Sequence, residues 1–253
     1  MWVFTYKLDK HGFLVKCKAR LVVCGNQQEP RDLPTRATTL ASTTFRTLMA
    51  ITAQFDLETR QLDTVNAFVN CELDEVVYMR LPPGFEKPGK VFLLRKALYG
   101  LRRSPLLWQT KLTEAFRSLG FTLLAQEPYV TLIKGVVTFY YVDDIVFIYR
   151  EKDKALVDKT ITGLKRQIRI TDCKELKWFL GIYILRDRKR RLLWLSQSSY
   201  IEKVANDARI DLSSKPPDTP MGPDELFPSI NPPISTNTNT PPLNEQATRK
   251  SSL

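Results

Sequence analysis

Residues 1–7 and 13–24 are rich in β-branched and aromatic side chains, and the Asp9-Lys10-His11-Gly12 between them reads as a hairpin turn. Over residues 43–55 the period lengthens. Phe45, Leu48, Met49 and Ile51-Thr52 share one helical face behind a threonine cap. A strand is predicted over residues 57–63 and a short helix over 65–70, followed by short strands at 76–79 and 91–94. Ser104-Pro105 opens a helix, with Ser as N-cap and Pro as first residue, carrying Leu107, Trp108, Leu112, Ala115, Phe116 and Leu119 before it stops at Gly120. Residues 129–133 and 136–141 pair around Lys134-Gly135, and residues 145–149 continue as a strand. A helix over 154–167, a hairpin of 178–185 with 192–195 around Arg188-Lys189-Arg190, and a helix over 198–208 complete the body. Helices set between antiparallel strands predict an α+β fold with the helices packed on one sheet face.

Composition alters this picture at the C-terminus. Residues 213–253 hold nine of the sixteen prolines and runs such as STNTNT, with few bulky apolar side chains, so a disordered tail is expected there and a folded domain over residues 1–212. The chain has 38 Lys+Arg against 27 Asp+Glu, a net charge of +11, and the surplus lies in the body. Such a basic body either binds a polyanion, nucleic acid above all, or is simply soluble. No apolar run reaches the length of a membrane span, and no signal peptide is evident. The scattered Cys17, Cys24, Cys71 and Cys173 lack metal-ligand spacing and read as reduced thiols of an intracellular protein, in the cytoplasm (as part of a particle) or the nucleus.

The most informative segment is GVVTFYYVDDIVFIY at residues 135–149. Two adjacent aspartates, Asp143 and Asp144, lie between two apolar strands. A tight turn at this pair crowds both carboxylates beside apolar surface, where a divalent cation would compensate them and oxygen ligands suit Mg²⁺. A plain hairpin turn is the competing reading, although such turns usually have polar neighbours. Asp63 ends the strand LETRQLD and is either a helix N-cap or a further metal carboxylate brought beside Asp143 by strand pairing.

Tyr141-Val142-Asp143-Asp144 resembles the catalytic box of reverse transcriptases, and the surrounding blocks resemble the Ty1/copia retrotransposon branch. Lys18-Ala19-Arg20-Leu21-Val22 is similar to its fingers segment, and Gln61-Leu62-Asp63 with Ala67-Phe68-Val69-Asn70 to its first palm motif. Leu81-Pro82-Pro83-Gly84-Phe85, Ala97-Leu98-Tyr99-Gly100-Leu101 with Ser104-Pro105 and Trp108, the block from Leu176 to Ile182 and that from Leu195 to Tyr200 follow in family order. The resemblance covers about residues 1–221.

The resemblance implies a palm-and-fingers RNA-directed DNA polymerase that transfers a nucleotide from a dNTP to a primer 3′-hydroxyl on an RNA or DNA template. Asp63 and Asp143, with the main-chain carbonyl of Thr64 and with Asp144 close by, would bind two Mg²⁺, or Mn²⁺ in their place. Phe68 matches the steric gate against a ribose 2′-hydroxyl, with core packing as its alternative role. Tyr99 and Gly100 would lie by the incoming base and sugar. Lys18 and Arg20 share a strand face that suits a triphosphate or is merely solvated. Arg102, Arg103 and Tyr141 would meet the template and primer. The turn at 186–191 tracks a nucleic-acid backbone or, more simply, is a solvated hairpin tip. Trp194 and Tyr200 fall in the segment that resembles the primer-contacting hairpin or, more simply, lie mostly in the core, with Tyr200 on the following helix.

Some positions depart from the family pattern. Cys71 stands for a Gly, Cys24 for a Lys, Arg103 for a Gln, Leu106 for an Arg, and Cys173-Lys174 for Leu-Gly; the first predicts strain if a positive φ is needed there. The sequence holds no zinc knuckle, protease motif or integrase-like cluster, so it resembles a truncated piece of a polyprotein whose other parts would be partners. The alternative function is a catalytically dead, nucleic-acid-binding remnant of the same element. A different palm-type nucleotidyl transferase is disfavoured by the LYGL and SPLLW blocks.

Overall fold

The structure is a computed structural model; it describes residues 1–8, 13–29, 33–35, 37 and 39–209. The hairpin turn at 9–12 and the tail at 213–253 lie outside the described residues. By internal contacts the chain divides into two units, Met1–Ile201 and Glu202–Leu253; the described part of the second is the C-terminal end of the last helix and the two residues after it.

The first unit centres on a six-stranded antiparallel sheet. Its strands are β3 (Glu58–Thr64), β6 (Thr122–Leu124), β7 (Glu127–Ile133), β8 (Val136–Tyr141), β9 (Asp144–Tyr149) and β10 (Ile170–Lys174), in the order β10-β3-β9-β8-β7-β6. Two ribbons, β1 (Trp2–Leu8) with β2 (Leu14–Leu21) and β4 (Glu72–Arg80) with β5 (Val91–Lys96), stand apart from it, and β11 (Trp178–Phe179), β12 (Ile182–Asp187) and β13 (Leu192–Ser196) form a third small sheet. The helices are α1 (Ser42–Gln54), α2 (Ser104–Ser118), α3 (Lys154–Lys165) and α4 (Ser198–Asp207).

The α+β class agrees with the sequence, but the helices do not share one sheet face. Cross-strand pairs put Tyr140, Ile145, Phe147 and Leu62 on one side, where Phe116 of α2 stacks on Tyr140 at 5.7 Å and lies 6.2 Å from Phe147. Phe139 points to the other side, onto Phe45 of α1 at 6.0 Å and Phe179 of β11 at 5.2 Å. The physical reason is visible in β9, where all five residues from Ile145 to Tyr149 are buried; an unbroken apolar strand needs cover on both faces. Strand β10 was not foreseen, because ITDCK has no alternating apolar pattern; Arg60 of β3 holds it through a bidentate bond to Asp172.

Two predicted caps are replaced by other contacts. No side chain caps α1, and Ser104 Oγ donates to Leu98 O at 2.6 Å, tying α2 back to the preceding loop. Cys71 has φ −99° and ψ 133°, ordinary extended backbone, so the strain expected from losing a glycine there is absent. Burial pushes its thiol up to about 11.

Candidate functional site

Strand register brings the acidic residues together. Asp63 is directly opposite Asp144, the first residue of β9, and the pair Tyr141–Asp144 closes a two-residue turn made of Val142 and Asp143. The Thr64 N–H donates to Asp143 O at 2.7 Å, fixing the turn against the end of β3. Val142 has φ +47°, a conformation that a β-branched side chain resists. Trp108 of α2 holds it there, its Nε1–H donating to Val142 O at 2.7 Å. Strain maintained by surrounding contacts is characteristic of functional turns.

The Tyr99 hydroxyl donates to both oxygens of Asp143, at 3.0 and 3.2 Å, and Gln61 Nε2 donates to Asp144 Oδ1 at 2.8 Å. Burial is the main force raising the Asp143 carboxyl above its usual range; the Tyr99 bond opposes it, the Asp63 and Asp144 charges add to it, and the Arg20 charge opposes it. Asp144 is raised by burial and by Asp63, against the Gln61 bond. The Asp63 charge therefore acts on both Asp143 and Asp144. Burial and the charge of Asp143 also hold the Tyr99 phenol protonated well above its usual range.

This donor set suits a hard divalent cation. Among the described residues no group of three or more His, Cys, Asp and Glu is placed to hold a metal ion by itself. Mg²⁺ commonly takes one or two carboxylates and completes its shell with water and substrate phosphates. Thr64 Oγ1 is buried without a hydrogen-bond partner, so this strand end is not fully satisfied within the protein.

The other expected residues divide into two groups. Phe68, 7 % exposed, meets the Tyr99 ring edge-on at 4.6 Å, and the Arg20 guanidinium stands 6.0 Å over the same ring. Lys18 is half-buried on the Arg20 side of β2. Tyr141, Phe68, Pro105, Trp108, Tyr129 and Tyr140 line an apolar cavity of about 390 Å³ beside the turn. Gly100 belongs elsewhere. It has φ +92°, and a Cβ there would sit 1.9 Å from Val23 O, so its close approach is to the protein's own backbone. Gly25 faces the same crossing, where a Cβ would stand 2.0 Å from Gly100 O. Nothing in the sequence marked Gly25 for this, because the crossing is made between distant segments.

The arginines require correction. Arg103, expected at nucleic acid, is 8 % exposed; it donates to both carboxylate oxygens of Asp74 and to Pro34 O at 2.6 Å, so its guanidinium is engaged inside the protein. Arg102 Nε donates to Gly25 O at 2.8 Å. In the basic turn Arg186 binds Asp56 and Leu57 O and Arg188 binds Glu58, while Lys189, Arg190 and Arg191 at the tip are exposed. Trp194 and Tyr200, expected in the core, are 48 % and 61 % exposed, Trp194 because its strand pairs it with Leu185 on an open sheet face.

Residues 1–222 match the family model described as reverse transcriptase (RNA-dependent DNA polymerase). The chain is 35 % identical over 230 residues to the retrovirus-related Pol polyprotein from transposon TNT 1-94 of Nicotiana tabacum, covering 87 % of this chain and 17 % of the relative. It is 34 % identical over 231 residues to that from transposon RE1 of Arabidopsis thaliana, covering 88 % and 15 %. A putative transposon Ty5-1 protein of Saccharomyces cerevisiae is 27 % identical over 157 residues, covering 59 % and 50 %. The chain thus spans under a fifth of the plant polyproteins it matches. Among the described residues no helix is long and apolar enough to cross a membrane.

Proposed function

The chain belongs to the reverse transcriptase (RNA-dependent DNA polymerase) family, on its Ty1/copia retrotransposon branch, and from that premise we propose that it is the palm-and-fingers portion of an RNA-directed DNA polymerase. The reaction is nucleotidyl transfer from a dNTP to a primer 3′-hydroxyl on an RNA or DNA template. The observation that carries this reading is the strand register that opposes Asp63 to Asp144 with Asp143 at the strained turn between them.

Asp63, Asp143, Asp144 and the Thr64 carbonyl would hold two Mg²⁺. When bound, such ions acidify a hydroxyl and neutralise phosphate charge. The protein's own side chains do the rest. Tyr99 orients Asp143 by donating to it, and the phenol keeps its proton because burial and the neighbouring carboxylate disfavour its ionisation. Phe68, buttressed by the Tyr99 ring, is the wall against a sugar 2′-hydroxyl. Arg20 and Lys18 supply positive charge for a triphosphate, and Gly100 acts by letting the segment that follows β2 cross the chain beside Tyr99. Tyr141, on the wall of the apolar cavity, and the Arg102 guanidinium nitrogens other than Nε would serve the template and primer, and Arg103 would not. Other parts of a longer polyprotein are expected partners.

Primer extension tests this reading. The purified chain should add dNTPs to a DNA primer on an RNA template only with Mg²⁺ or Mn²⁺, and Asp143→Asn should abolish addition while melting cooperatively. Salt-sensitive template binding without any incorporation would instead leave a nucleic-acid-binding remnant.

A further inference from the structure

Along β3, Gln61 and Asp63 lie two residues apart on one sheet face. Register sets Gln61 against Val146 and Asp63 against Asp144, so Gln61 is diagonal to Asp144. The Gln61 amide uses that diagonal. Nε2 donates to Asp144 Oδ1 at 2.8 Å and to the main-chain O of Trp178 at 3.0 Å. An amide nitrogen carries two N–H groups, so both are engaged and the amide cannot swing without breaking both bonds. Trp178 opens β11 of the small sheet, so a second element anchors the amide.

The two neighbouring aspartates are thus held differently. Asp143 shares a single O–H between its two oxygens, whereas Asp144 is gripped at Oδ1 alone, and its Oδ2 accepts no hydrogen bond from the described residues. The grip is also neutral. A lysine or arginine in this place would hold Asp144 by charge and oppose a cation, while an amide orients the carboxylate and leaves its charge in place.

We propose that Gln61 is a positioning residue: anchored on the Trp178 carbonyl, it fixes the Asp144 side chain so that the remaining oxygen is presented to a divalent cation. This rests on the polymerase reading, which puts the cation at these carboxylates. The test is Mn²⁺ binding by the full chain, followed by the electron paramagnetic resonance signal of free Mn²⁺, in a cycle of wild type, Gln61→Met, Asp144→Asn and the double variant. Gln61→Met should weaken Mn²⁺ binding by about tenfold, the effect of losing one hydrogen bond to a charged group. In the Asp144→Asn background the same substitution should add less than about twofold, because the partner through which it acts is gone. Melting curves identify any variant that fails to fold, in which case Gln61→Leu takes its place. Equal losses in both backgrounds, or Mn²⁺ binding by Gln61→Met at the wild-type affinity, overturn the proposal. With wild-type primer extension intact, those results leave the polymerase reading standing. Absence of Mn²⁺ binding by the wild-type chain overturns both.

Discussion

Arg103 separates a sequence expectation from a structural one, and the two diverge in measurable ways. Its side chain is about 10 % exposed and makes two hydrogen bonds to Asp74 and one to Pro34 O. Arg103→Met keeps much of the apolar stem and removes all three bonds. Asp74 is 44 % exposed, so solvent screens the ion pair to about 1 kcal/mol. Loss of the bond to Pro34 O removes a further ~1–2 kcal/mol. The expected loss of stability is about 2–3 kcal/mol, a fall in melting temperature of roughly 4–12 °C for a body of this size. The companion assay is salt dependence of binding to a primer–template duplex. An arginine on a phosphate contributes about 0.9 to the slope of log K against log salt. The structure predicts an unchanged slope with a lowered melting temperature. A slope reduced by about 0.9 with unaltered melting would refute the inward placement and restore the nucleic-acid role.

Gly100→Ala should prevent the segment around Val23 from docking: its φ is +92° and the new Cβ would meet Val23 O at 1.9 Å, so proteolysis of the region around residues 13–29 should accelerate well before the sheet core melts. Phe116→Ala, which empties a fully buried ring site against Tyr140 and Phe147, should cost about 3–5 kcal/mol by urea denaturation. Hydrogen bonding to Arg60 is the main force lowering the Asp172 carboxyl, so its stabilisation is complete above the unfolded value of about 3.9 and is lost as pH falls below it; Asp172→Asn should flatten the acid limb of stability against pH. Asp143 has the opposite sign. Burial raises it, so its contribution favours the fold at low pH and is lost as pH rises through its folded value, and Asp143→Asn should raise the melting temperature of the metal-free chain at pH 7.

By itself, the sequence determined which residues become strands and helices wherever a local period exists. Phe45, Leu48 and Met49 mark α1 by their spacing, and YYVDDIVFIY marks a hairpin whose polar tip is out of place between apolar strands. Those signals are local, because helix and strand periods repeat within a few residues. Ordered motifs carried the family. What only the tertiary structure decided is how distant groups meet: the opposition of Asp63 to Asp144, the hold of Tyr99 and Gln61 on the two aspartates, the crossing of Gly25 with Gly100, and the inward turn of Arg103 onto Asp74. An arginine reads the same in sequence whether its partner is a phosphate or a carboxylate 29 residues away. Its role is set by burial and by which oxygen lies within about 3 Å, and those are properties of packing among segments that no local pattern encodes.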